Sequence, residues 1–201
     1  MPRREPISPD GIYHVGSRGC YGRTLFHDVS EHELFLWMYT RVARKYGWET
    51  LAWALMKNHH HLVIKLTQGG LSEGLRVLHG GYSRRIHEFY GETRKGHLFR
   101  HAFFARQLDT TEDVLGTCAY VDLNPARHRR TAAPRVSDWC GYRATLGRQH
   151  PRSFHAPPAL LELLDPSPAK ARRLYQQRVQ ERHDRERQVS SPNDGGYAPR
   201  G

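Results

Sequence analysis

Two hydrophobic periods divide this chain, one of two residues and one of three to four, and they separate strands from helices. Residues 11–18, Gly-Ile-Tyr-His-Val-Gly-Ser-Arg, alternate after a proline-containing arm and predict a first strand. Ser30-Glu31-His32-Glu33 has capping-box spacing, and Leu34, Met38, Val42 and Tyr46 recur behind it until Gly47, which predicts a helix. Leu51 to Met56 predicts a second strand, and the short Lys57-Asn58 link leads into a third that begins His59-His60-His61-Leu62-Val63-Ile64 and closes at Gln68-Gly69-Gly70. A second helix is expected with Leu71, Leu75, Leu78 and Tyr82 on one side, weakened at Gly80-Gly81 by about 1 kcal/mol per glycine. Ala102 to Leu108 fits a fourth strand, and Asp109 to Asp113 opens a helix that carries Tyr120 and should finish at Asn124, because Pro125 follows.

Strand, helix, strand, strand, helix, strand is the split βαβ order of ferredoxin-like and RRM-like folds. The expected class is therefore α+β, an antiparallel sheet with helices on one face and the other face free. Past residue 150 the composition shifts to proline, arginine and glutamine. The expected organisation is a domain over residues 1–150 and a basic tail over 151–201, with a charged helix over Ala169 to Gln188 and disorder from Ser190 to Gly201. The tail arginines either solvate that helix or reach for phosphate.

Alternation also fixes how the histidines point. His59 and His61 share a strand face with Val63 and Lys65, the wetter one, whereas His60 falls in phase with Leu62, Ile64 and Leu66. The run is internal and continues into apolar strand residues, which sets it apart from a purification tag. Two imidazoles on one face suit a divalent cation or acid–base work. Tyr120 and Asn124, four residues apart on the last predicted helix, lie on one side of it. Where that helix crosses near His59 and His61, the set becomes two imidazoles and an amide oxygen around a cation, with a phenol beside them.

Those are the ingredients of metal-assisted phosphoryl transfer through a covalent intermediate. Mixed nitrogen and oxygen ligands suit Mg²⁺ or Mn²⁺ and leave zinc open. The phenol must lose its proton as it attacks, and a cation or base nearby would help.

A net charge of +11 over 201 residues favours an anionic partner, nucleic acid before acidic membrane. No stretch approaches the roughly 18 apolar residues of a spanning helix, and the N-terminus lacks a secretory core, so a cytoplasmic protein that does not engage membranes is expected. Cys20, Cys118 and Cys140 are dispersed and suggest neither disulfides nor a zinc knuckle. Candidates for gripping DNA are Lys65 on the histidine-bearing face, Arg84 and Arg85 on the second helix, and Arg127, Arg129 and Arg130 just past the tyrosine.

Met56-Lys57-Asn58-His59-His60-His61-Leu62-Val63-Ile64 resembles the histidine motif of single-tyrosine HUH transposases, and Tyr120-Val121-Asp122-Leu123-Asn124-Pro125-Ala126-Arg127 resembles their tyrosine helix. Gly96-His97-Leu98-Phe99, Ser137-Asp138-Trp139 and Tyr142-Arg143 extend the likeness over about residues 8–147, nearest to REP-associated tyrosine transposases, the domesticated relatives of insertion-sequence transposases. The resemblance implies that His59, His61 and Asn124 hold the divalent metal. It also implies that Tyr120 attacks a DNA phosphate to form a 5′-phosphotyrosine link and release a 3′-hydroxyl, on single-stranded hairpin DNA with a short guide sequence. A monomer is expected, with a homodimer as the alternative. The chain departs from the family at His60, normally a bulky apolar residue, at Lys57, often proline, and at Cys140-Gly141, often a serine pair. Two rival readings use the same surface without chemistry: a single-strand nucleic-acid-binding module, and a repressor of hairpin sites.

Overall fold

The computed structural model describes residues 7–91, 96–100, 103–127 and 137–190. Four strands, β1 (Ile12–Arg18), β2 (Glu49–Met56), β3 (His59–Lys65) and β4 (Phe104–Gln107), form one antiparallel sheet in the order β2-β3-β1-β4. This is the ferredoxin-like order that the sequence predicts. β2 and β3 are joined by the two-residue Lys57-Asn58 hairpin, with Met56 opposite His59.

Helices α1 (Val29–Tyr46) and α2 (Leu71–Tyr90) cover one face. Phe35, Tyr39, Val42, Leu75, Leu78 and Tyr82 bury there against Tyr13, Val15, Trp53, Leu55, Leu62 and Ile64. The start of α1 lies earlier than the Ser30 box. Asp28 is the N-cap, accepting from the Glu31 N–H at 3.0 Å, and the Glu31 carboxylate accepts from the His27 N–H at 2.9 Å. α2 runs unbroken through Gly80-Gly81. A Cβ at Gly81 would stand 2.6 Å from Cε of Met38, so the glycine is where α1 and α2 come closest.

The second face is not free, which corrects the expectation of helices on one side only. α3 (Thr111–Arg127) lies across β2 and β3, and its apolar stripe of Val114, Leu115, Cys118 and Val121 buries against Ala52, Ala54 and Val63. α3 also outlasts Asn124 and takes Pro125 inside it. A proline this close to the helix end removes only the hydrogen bond to the Val121 carbonyl, a loss the last turn tolerates.

Two short helices, α4 (Tyr142–Thr145) and α5 (Pro157–Leu161), and the long α6 (Pro168–Ser190) complete this layer. Ala171, Tyr175, Val179 and His183, four apart along α6, are all buried. The Tyr175 hydroxyl donates to Asp122 Oδ2 on α3 at 2.7 Å. Burial pushes the Asp122 carboxyl up to about 7. α6 therefore packs one seam against α3, while its arginines Arg172, Arg173, Arg185 and Arg187 stay exposed. Residues 191–201 lie outside the described part of the chain.

Among the described residues no helix is long and apolar enough to cross a membrane. Cys20, Cys118 and Cys140 are free thiols.

Candidate active site

The face beneath α3 carries the candidate residues. β3 presents His59 and His61 to it, and β1, paired antiparallel with β3, presents His14 and Gly16, with Gly16 directly opposite His61. The missing side chain at Gly16 matters: a Cβ there would stand 3.1 Å from Nδ1 of His61. His60 turns to the other face as its phase requires, where it is 0% exposed and its Nε2 meets Nε2 of His79 on α2 at 2.9 Å. Burial first, and then the neighbouring imidazoles, hold His60 well below the usual histidine range, and burial lowers His79 to about 4. The polar misfit on the core face is thus met at Nε2 by a neutral imidazole, while Nδ1 of His60 has no partner among the described residues.

Each of the two candidate ligands uses Nδ1 for an outer contact. Nδ1 of His59 meets Oδ1 of Asn58 at 2.8 Å, and Nδ1 of His61 meets Nε2 of His14 at 3.0 Å. Metal-binding histidines characteristically spend one ring nitrogen in this way and ligate with the other. The two rings are 5.3 Å apart between centroids, nearly perpendicular. Burial, reinforced by the charge of Arg106 across the β1–β4 ladder, brings His14 down to about 4.

α3 delivers Tyr120 onto these rings. Its ring centroid is 5.7 Å from that of His61 and 5.9 Å from that of His14, edge to face in both cases. The guanidinium of Arg182, from α6, sits 5.2 Å from the centre of the Tyr120 ring and donates to the Gly116 carbonyl. Asn124, one turn further along α3, is buried, and its Nδ2 has no hydrogen-bond partner among the described residues. That Nδ2 is a donor and calls for an accepting partner; an amide would ligate a cation through its Oδ1 instead. Among the described residues no group of three or more histidine, cysteine or acidic side chains could hold a metal; by chemical type the two imidazoles of β3 and an amide oxygen suit a divalent cation.

An open cleft reaches the site, lined by Gly16, Ser17, Arg18, the three histidines of β3, Arg100 and Phe104. Arg18 and Arg100 are exposed there, joined by a bond from the Arg100 N–H to the Arg18 carbonyl at 2.8 Å. Sequence reasoning missed His14, Arg18, Arg100, Phe104 and Arg182. Only His14 left a local sign, a polar side chain between Tyr13 and Val15 in the middle of β1.

Of the predicted DNA-gripping residues whose side chains are described, Lys65, Arg84 and Arg85, none lines the cleft. Lys65 shares the sheet face of His61 and pairs with Glu49 at 2.8 Å. Arg84 and Arg85 are exposed on α2, on the opposite side of the sheet, and Arg85 pairs with Glu88 at 3.1 Å. Arg127 closes α3, while Arg129 and Arg130 lie outside the described residues.

The family description "Transposase IS200 like" matches residues 8–124, which include the histidine strand, Tyr120 and Asn124. This chain belongs to the IS200-like transposase family. Among solved structures, the REP-associated tyrosine transposase bound to a REP hairpin matches with a TM-score of 0.63 at 14% identity, covering 78% of this chain and 89% of that one. The shared fold extends beyond the residues of the family match. A candidate transposase from Deinococcus radiodurans aligns at 18% identity with a TM-score of 0.43, over 54% of this chain and 87% of its own. No curated protein matches.

Proposed function

We propose that this IS200-like transposase is a metal-dependent single-stranded DNA endonuclease and strand transferase, acting at REP-like hairpins through a 5′-phosphotyrosine intermediate. The observation that carries the reading is the packing of the Tyr120 ring on His61 and His14, at 5.7 and 5.9 Å, beside the only paired imidazoles of β3 on that face. In the reaction the Tyr120 oxygen attacks the phosphorus, the bond from phosphorus to the 3′ oxygen breaks, the phenol proton is given up to solvent and the leaving oxygen takes one up. Strand transfer is the reverse step with a different 3′-hydroxyl.

His59, His61 and Asn124 would hold Mg²⁺ or Mn²⁺, which when bound supplies Lewis-acid polarisation of a non-bridging phosphate oxygen. The chain's own part is placement. The hairpin-linked β3 fixes the imidazoles, α3 holds the phenol against them, and Arg18 and Arg100 line the cleft with positive charge suited to a DNA backbone. The hairpin substrate is carried over from the solved relative bound to a REP hairpin, and the net charge of +11 accords with it.

The test is incubation with single-stranded hairpin DNA and Mn²⁺ or Mg²⁺, followed by a denaturing gel. A covalent adduct is expected, lost in Tyr120→Phe with hairpin binding retained. Cleavage that survives in Tyr120→Phe removes Tyr120 as the nucleophile. Binding without cleavage in the wild type replaces the enzyme by a hairpin-binding protein.

A further inference from the structure

Which nitrogen of His61 carries the proton is decided by its neighbour on β1. An amide oxygen can only accept, so the contact of His59 Nδ1 with Asn58 Oδ1 at 2.8 Å makes that Nδ1 the donor and places the lone pair of His59 on Nε2. The contact of His61 Nδ1 with His14 Nε2 at 3.0 Å joins two nitrogens that share a single proton, so it has two polarities. With His14 donating, the proton of His61 sits on Nε2 and that nitrogen is closed to a cation. With His61 donating, the lone pair lies on Nε2 of both rings of β3, and His14 carries its own proton on Nδ1.

We propose that His14 is a positioning residue: it accepts the Nδ1–H of His61 and so holds His61 in the tautomer that presents Nε2 to a divalent cation. The inference rests on the reading that His59 and His61 ligate that cation. His14 is built into place for the task. It is 7% exposed, and its ring is set edge-on to Phe104 at 5.4 Å and to Tyr120 at 5.9 Å, which leaves little room for rotation. Gly16, two residues along β1, keeps the space around Nδ1 of His61 clear. Outer contacts of this kind orient a ligand and are worth about 10- to 100-fold in metal affinity.

The experiment measures Mn²⁺ binding to the full-length protein without DNA, by the electron paramagnetic resonance signal of free Mn²⁺, together with imidazole ¹⁵N NMR of the metal-free protein. His14→Phe should weaken Mn²⁺ binding about 10- to 100-fold. His14→Gln, whose amide oxygen can take the Nδ1–H although its NH2 can also donate, should bind Mn²⁺ more tightly than His14→Phe. The spectrum of the wild type should show the proton of His61 on Nδ1, and in His14→Phe that preference should be lost.

His59→Ala serves as the reference for the cation site. Wild-type affinity in His14→Phe alongside loss in His59→Ala overturns the role of His14 and leaves the cation site standing. Wild-type affinity in both His59→Ala and His61→Ala removes the cation site itself. The polarity is then decided by the wild-type spectrum alone, where a proton on Nε2 of His61 overturns the inference. Should His14→Phe fail to fold, that same spectrum still decides.

Discussion

The two faces of the sheet treat histidine in opposite ways, and β3 supplies both from three consecutive residues. On the α1–α2 face His60 is sealed from solvent, held neutral by burial, and matched to one partner, His79. On the α3 face His59 and His61 are half-buried at a cleft, with outer partners on Nδ1 and a tyrosine ring beside them. The same side chain is a packing problem on one face and a chemical group on the other. What differs is the surroundings: two helices interlocked through Phe35, Tyr82 and Leu78, or a helix whose tyrosine meets His61 beside an open cleft at the histidines.

The largest expected effect that separates the faces comes from His79→Leu. It leaves His60 without its partner and should destabilise the fold by about 1–3 kcal/mol, read from denaturant unfolding, while Mn²⁺ affinity is unchanged. Replacing both His60 and His79 with leucine should recover most of that loss, since an apolar pair leaves no unmet polar group. A double variant as unstable as the single one breaks the account of that face.

Asp122 sharpens the comparison on the other layer. Its carboxyl ionises at about 7 in the fold and near 3.9 in an unfolded chain, so between those values the folded protein binds more protons than the unfolded one. Stability from this group is present below about pH 4 and lost as pH rises toward 7. Asp122→Asn keeps an acceptor for the Tyr175 hydroxyl and should flatten the pH dependence of unfolding across that window relative to wild type. Parallel wild-type and variant profiles would show that the carboxyl does not titrate there.

The smallest effect concerns DNA. Arg100→Ala, at the cleft, should reduce the salt slope of single-strand binding by about 0.7, the value of one phosphate contact, whereas Arg84→Ala, on the α2 side, should leave it unchanged. Equal slopes for the two variants would place the strand elsewhere.

How far these faces can be read from the chain depends on what each residue answers to. The phase of His59, His60 and His61 is local, set by strand alternation alone, and the hairpin at Lys57-Asn58 is equally local. Helix phase is less secure. Leu34, Met38 and Tyr46 make a regular series, but the deepest residues of α1 are Phe35, Leu36 and Tyr39, because the angle at which a helix meets a sheet selects its stripe. α6 shows only Ala171, Tyr175, Val179 and His183 among its many charges, a seam one residue wide that reads as solvated until α3 is placed beside it. His14 answers to strand register. Its partnership with His61 arises from pairing across 47 positions, which no local period contains. The expected free face fails for a related reason: Ala52, Ala54 and Val63 are small, and small residues on a strand signal a close-lying helix only once that helix is known to return.

The Lys57-Asn58 turn makes the imidazole pair a local product of the chain, because His59 and His61 follow it directly and Asn58 already holds one of the rings. Tyr120 arrives only after a second helix and a fourth strand have been laid down, and contacts of such separation form late. On the reading proposed above, the two imidazoles stand on a local hairpin while the amide and the phenol both wait for α3, so cleavage of DNA is reserved for molecules that have completed their fold.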